Sequence, residues 1–309
     1  MTRRQYTGRD IDAITGILSS KPTPADIWYG HSILTSSLFP GSKPDPGTDY
    51  FSKENGPSVY ILEAGIDPRT GQRAFPYGKY PRLLMAWIAG QVRDAEAHAA
   101  HDRADDDGTL ESDAKLRRIT VPSMYQLSEE LRLARGGRTT RRLGEQLRLL
   151  LSAHISIRRV VQLDSVTVRD TVSLPLATGV RYKDDNGDDG LSGAEFFLSR
   201  DVWERLARES APCDLRAASF LLSGRSVLAY DVYVWVSGAS ASLSHPMTLP
   251  WDWLEERFGD GQCTRWFREQ FRAALERVRV VYPGARWECG SRGLTLWPGE
   301  PSVPRLPAR

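Results

Sequence analysis

The stretch TTRRLGEQLRLLLSAHISIRRVVQLDSVTVRDTVSL, Thr139 to Leu174, passes from a helical spacing of apolar residues directly into two alternating runs. At 100° per residue, Leu143, Leu147, Leu150 and Leu151 share one stripe, and Arg138, Arg141, Arg142 and Arg148 fall on the other side. Such a helix is anchored by one face and offers guanidinium groups from the other. ISIRRVVQL and SVTVRDTVSL then alternate with period two around an Asp-Ser turn, the pattern of a hairpin.

Upstream, Gly136 and Gly137 break the chain, and a helix from about Ser123 to Ala134 carries Leu127 and Leu131 four apart behind a serine cap. RRITVP before it reads as a short strand. A longer helix from about Tyr80 carries Leu83, Leu84, Trp87, Ile88 and Val92 on one face. Helix, strand, helix, turn, helix, hairpin is the order of a winged helix, whose last helix enters the major groove of DNA.

The order recurs downstream. After the strand EFFLS come short helices at about 200 to 208 and 214 to 222, a longer one through LAYDVYVWVSG, the strand MTLP and the helix PWDWLEERFG. A Gly-Asp-Gly break precedes QCTRWFREQFRAALERVRVV, and the hairpin ARWECG/RGLTLWPG closes the unit. In that last helix Cys263, Phe267, Phe271, Ala274, Leu275 and Val278 share one face, with Arg265, Arg268, Arg272 and Arg279 on the opposite one. Guanidiniums suit both phosphates and the O6/N7 edge of guanine. Arg158 and Arg159, on the first hairpin, are the candidates for backbone or minor-groove contacts from a wing.

These patterns predict an α+β chain of two tandem winged-helix domains with an N-terminal helical extension. The expected boundaries are an extension over 1–56, a first winged helix over 57–183, a linker over 184–192, a second winged helix over 193–298 and a disordered tail over 299–309. A length of 309 residues with 40% hydrophobic and 26% charged residues suits two small cores. The net charge of +2 hides a segregation. From Leu131 to Val160 eight arginines face one acid, Glu145, whereas Asp94 to Asp113 holds eight acids. A local basic face can therefore bind a polyanion although the whole chain is nearly neutral.

Several chemistries are excluded. FPYGKYPRLLMAWIAGQ, Phe75 to Gln91, places Gly78 before Lys79, yet a phosphate loop needs a glycine five positions earlier and a Ser or Thr after the lysine; here stand Arg73 and Tyr80. Pro81 instead marks a helix start. The five histidines never stand two apart, so the His-apolar-His metal site of a rolling-circle nickase is missing, and no G-x-S-x-G elbow occurs. DDNGDDGLSGAE, Asp184 to Glu195, imitates a calcium loop but has Asp189 where the sharp turn needs glycine. His98, His101 and Asp102 lack a further ligand, so no metal or cofactor is expected. Cys213, Cys263 and Cys289 fit idle thiols in a reducing cytoplasm. No apolar run reaches the roughly 20 residues that span a bilayer, and MTRRQYTGRD is not followed by the apolar stretch of a signal peptide.

Taken together, SILTSSLFPGSKPD, YFSKENGPSVYILEAG, FPYGKYPRLLMAWIAGQ, LAYDVYVWVSG and VYPGARWECGSRGLTLWPG resemble the RepA-type plasmid replication initiators, from about Ser32 to Trp297. The resemblance implies a bacterial, plasmid-associated protein that binds repeated sites in double-stranded DNA at a plasmid origin and helps to open the duplex. It also implies recruitment of host replication proteins, a helicase or its loader, and often repression of the initiator's own gene; a homodimer is compatible with it. The acidic stretch RDAEAHAAHDRADDDGTLESD is longer than expected of that family. The reading is thus a non-enzymatic initiator whose two arginine-bearing helices enter successive major grooves. Its rivals are a winged-helix transcriptional regulator without a role in origin opening and a module whose arginines meet acidic protein partners.

Overall fold

The computed structural model describes residues 6–31, 33–55, 58–102, 117–163, 166–182, 191–224, 226–259 and 264–303, without the side chains of 55, 99–102, 160–163, 166–170, 172, 174 and 264. Two compact units result, one made of residues 33–210 and the other of residues 1–32 together with 211–309. The chain begins in the split unit with α1 (Gly8–Ser19) and β1 (Ile27–Gly30). Thr7 and Asp10 start α1 with a capping box, each side chain accepting from the other's backbone N–H.

The continuous unit opens with Ile33, Leu34, Leu38 and Phe39, all inaccessible to solvent. Strands β2 (Tyr50–Asn55) and β3 (Ser58–Glu63) follow, then the short pair β4 (Gly65–Ile66) and β5 (Arg73–Ala74). Next come α2 (Lys79–Asp102), β6 (Arg118–Thr120), α3 (Met124–Glu130), α4 (Gly137–Ser152) and the hairpin of β7 (His154–Leu163) and β8 (Val166–Pro175). That is the winged-helix order, and the expected apolar stripes make the core: Leu83, Leu84, Trp87, Ile88 and Val92 of α2 with Leu127, Leu131, Leu143, Leu147 and Leu150 are all buried. Each large side chain so buried contributes about 1.5–3 kcal/mol. The turn into α4 passes through Gly136 at φ +150°, a conformation that favours glycine.

Pairing departs from a plain wing. The hairpin lies in a four-stranded sheet ordered β2-β3-β7-β8, so the stretch read as part of an extension supplies one of its strands, β2, and the start of the expected first winged helix supplies β3. β6 pairs instead with β10 (Glu195–Leu198), which also pairs with β9 (Ala177–Arg181). α5 (Arg200–Glu209) completes the unit, held to α2 by Arg93 Nη1 donating to Ala207 O at 2.6 Å and Trp203 Nε1 donating to Glu96 at 2.8 Å.

The split unit resumes with β11 (Ala211–Asp214), α6 (Leu215–Leu221) and α7 (Leu228–Ser242). β12 (Met247–Pro250), α8 (Trp251–Phe258), α9 (Thr264–Val281), β13 (Trp287–Cys289) and β14 (Gly293–Leu296) complete a second winged helix, with α7 as its first helix. Here the pairing follows the wing: β14 takes β12 on one side and β13 on the other. α7 is buried almost all round, as befits a central helix. Phe271 is the hub of the packing, with the rings of Trp251, Phe258 and Phe267 centred 5.5–6.1 Å from its own.

The expected boundaries need redrawing. β1 pairs antiparallel with β11, and Arg216 clamps the end of α1 by donating to Gly16 O, Ser20 Oγ and Ser20 O while Asp214 grips its other edge. The N-terminal helix therefore belongs to the C-terminal winged helix, not to an extension over 1–56. The linker expected over 184–192 falls inside the continuous unit: 183–190 lie outside the described residues, but Leu191 is buried and Ser192 Oγ accepts from Met124 N at 3.0 Å. EFFLS and the helix after it belong to that unit too. Of the tail expected over 299–309, residues 299–303 are packed, with Val303 buried and Ser302 Oγ accepting from Tyr233 at 3.1 Å; 304–309 lie outside the described residues.

Candidate nucleic-acid interface

The arginine face of α4 is open over its first two turns. Arg138, Arg141 and Arg142 are exposed, and among the described residues none of them pairs with a carboxylate. Behind them the helix is fixed by its leucines and by buried Gln146, whose Oε1 accepts from Tyr77 N at 2.8 Å. That bond draws the segment ahead of α2 against α4. In consequence the Arg142 guanidinium lies over two rings, 5.9 Å from the centre of Tyr77 and 6.0 Å from that of Tyr80.

Arg148 is not part of this face. It continues the outward stripe by angle, seven residues after Arg141, but the turn between β4 and β5 covers the end of the helix. Its Nε lies 3.7 Å from Asp67 Oδ1, and both side chains are 7% exposed. Asp67 is held there by its own turn, accepting from Arg69 N and from the Thr70 hydroxyl.

The two hairpin arginines do not face the same way. Both are exposed, but as consecutive residues of β7 they point to opposite faces of the sheet. Arg158 borders a hollow of about 460 Å³ shared with Asp49, Tyr50, Glu63 and Arg73. Arg159 lies on the side of Tyr60, whose phenol is pushed up by burial against the lowering charges of Arg205 and Arg159. One backbone cannot take both from a single side.

On α9 the arginines are more engaged than the helical wheel implies. Arg268 and Arg272 are half-buried and stack over Trp251, 5.5 and 5.0 Å from its ring centre. Arg279 lies 5.2 Å over Trp287 and 3.8 Å from Glu276, and Arg265, 88% exposed, lies 3.9 Å from Glu269. The outward face of α9 thus alternates charges. Cys263, at the head of its apolar stripe, lies outside the described residues; Phe267, Phe271, Ala274, Leu275 and Val278 are buried as expected.

Four residues to which the sequence reading gave no place at a DNA face are revealed by the structure as candidates. Tyr77, Lys79 and Tyr80 join the α4 face, and Trp266, beside Arg265, is 64% exposed. Burial and the nearby Arg142 both hold the Lys79 ammonium below its ordinary value. Trp266 could have been found by its position off the apolar stripe. The Tyr77–Lys79–Tyr80 group could not, because its neighbour Arg142 is remote in sequence.

The imitated calcium loop ends on Glu195, which sits in β10 with Arg118 at 3.4 Å and Arg181 at 3.8 Å; its earlier positions to 190 lie outside the described residues. His98 Nδ1 lies 2.6 Å from Asp94 O, and the side chains of His101 and Asp102 are not described. Among the described residues no cluster of three His, Cys, Asp or Glu could hold a metal, and no helix is long and apolar enough to cross a membrane.

No known protein family and no curated protein matches this chain. Among solved structures, it is similar to a crystal structure of domains 2–3 of RctB, with 10% identity over 86% of this chain and 94% of that one and a TM-score of 0.46. A second crystal structure, of selenomethionine derivatives of domains 2 and 3 of RctB, gives 9% identity over 83% and 92% and a TM-score of 0.48.

Proposed function

We propose that this chain binds double-stranded DNA through α4 and acts, without catalysis of its own, as a replication initiator at plasmid origin repeats. The observation that carries the reading is the free face of Arg138, Arg141 and Arg142 at the start of a helix whose other side is locked in a core. A helix so mounted matches the major groove, and guanidiniums contact phosphate or guanine there. α9 serves as a second and weaker contact, because Glu269 and Glu276 offset its outermost arginines. The initiator role rests on the sequence resemblance to RepA-type initiators, together with the paired winged helices. It carries with it a bacterial cytoplasm, autorepression, a host helicase or loader as partner and a second copy of the chain as a partner in solution.

The test has two stages. Fluorescence anisotropy with DNA from upstream of the gene and with a random duplex should show a specific complex whose affinity falls steeply with salt. A minimal plasmid carrying only this gene and its upstream repeats should then transform a host lacking other initiators. Specific binding and promoter repression without transformation would leave a transcriptional regulator. No specific complex at any salt would sink the DNA reading and favour an acidic protein partner.

A further inference from the structure

We infer that Lys79 and Arg142 together grip one backbone phosphate of the duplex lying along α4, with the rings of Tyr77 and Tyr80 holding the guanidinium in place. The inference rests on the DNA reading above and adds to it a contact outside the arginine row.

Three observations carry it. First, two cations share one aromatic neighbour: the Lys79 Nζ lies 5.6 Å from the centre of the Tyr80 ring and the Arg142 Cζ 6.0 Å from the same centre, and the charge of Arg142 is felt at Lys79. Among the described residues neither pairs with a carboxylate. Two adjacent cations without a counter-ion disfavour each other and are relieved by a shared anion. Burial and Arg142 both oppose the charged form of Lys79, in keeping with that repulsion.

Second, the backbone that presents Lys79 is rigidly built. Gly78 turns at φ +75°, its N–H donates to Pro40 O at 2.9 Å, and its carbonyl accepts from the fully buried Arg82 at 2.8 Å. Arg82 also donates to Phe39 O at 2.8 Å. Such investment in a turn is what a positioned contact requires. Third, the Gln146–Tyr77 bond fixes this turn to α4 itself, so the lysine and the arginine row move as one body. Lys79 is thus a phosphate ligand without a phosphate loop.

The experiment is anisotropy over a range of KCl with the upstream duplex and a random duplex, for the full chain and for Lys79→Gln, Arg142→Gln, the double variant and Arg141→Ala. Lys79→Gln should weaken both duplexes by the same factor and flatten the slope of log K against log salt by about 1, as loss of a phosphate contact does. The double variant should lose less than the sum of the single losses, because one phosphate held from two sides is released by either change. Thermal melts should be no lower for Lys79→Gln than for the parent; if that variant fails to fold, Lys79→Met, which keeps the length of the side chain without its charge, carries the same comparison. Weakening by Arg141→Ala with no effect of Lys79→Gln overturns the grip and leaves the DNA reading standing. Additive losses mean two separate contacts and also overturn it. Absence of duplex binding by the parent overturns both. Inorganic phosphate that binds the parent and is lost in Lys79→Gln, with duplex binding by that variant unchanged, would assign the pair to a free phosphate and overturn the grip.

Discussion

Arg148 and Asp67 form an ion pair inside the continuous unit, with Nε 3.7 Å from Oδ1 and each side chain 7% exposed. Removing one partner strands the other charge away from water, which costs about 3–5 kcal/mol. Arg148→Ala should therefore lower the melting temperature by several degrees, on the order of 6–20 °C for a unit of this size. Its salt slope for DNA, measured on the folded fraction, should match the parent's. A stable Arg148→Ala protein with a flattened slope would return this residue to the DNA face.

The opposite outcome is expected for Arg138 and Arg141, which are exposed and touch no carboxylate among the described residues. Alanine at either should leave the melt within about 0.5 kcal/mol of the parent. Each should flatten the salt slope by about 1 if it meets a phosphate, or cost about 1–3 kcal/mol and relax base preference if it reads a guanine. Unchanged binding by both variants would remove α4 from the interface.

For α9, stacking on Trp251 ties Arg268 and Arg272 to the fold. Arg272→Ala should cost about 0.5–2 kcal/mol of stability, the range of a cation over an aromatic face. Chemical denaturation of the full chain would register this as a lower midpoint, with an unchanged slope if compactness is preserved.

Trp87 is 6% exposed, and its indole N–H donates to Glu130 Oε2 at 3.1 Å, linking α2 to α3. Trp87→Ala should cost about 3–5 kcal/mol. DNA binding should fall only through the unfolded fraction, so affinity per folded molecule, read by circular dichroism alongside anisotropy, should not move. A well-folded Trp87→Ala that fails to bind would contradict this.

Cys213 is buried where β1 meets β11, and burial pushes its thiol up to about 12. The folded state therefore keeps a proton that the unfolded chain releases near 9.0. Stability contributed by the neutral thiol is present below pH 9 and is lost as pH climbs towards 12. Iodoacetamide at pH 8 should leave Cys213 unmodified until denaturant is added, as mass spectrometry of the peptide would report.

How much of this was legible beforehand differs by level. Element order was readable, because the leucines of α4 and the phenylalanines of α9 repeat at helical spacing and the hairpins alternate. Pairing partners were not: β1 finds β11 and β6 finds β10 across stretches that local periodicity does not connect. Arg148 illustrates the same limit, since its angle on the helix is right and only the covering turn at Asp67 takes it out of water. By contrast, Glu269 and Glu276 stand four and three residues from Arg265 and Arg279, so their neutralising effect was present in the sequence all along.

The division of the chain also sets an order of assembly during translation. Residues 8–30 leave the ribosome long before Ala211–Asp214 exist, so β1 emerges with its hydrogen-bonding edge bare and α1 without the arginine that clamps it. The segment 33–210 can close while the leading residues wait. A nascent chain halted between the two would pair a finished winged helix with a sticky, unclaimed strand, a natural handle for chaperones and proteases.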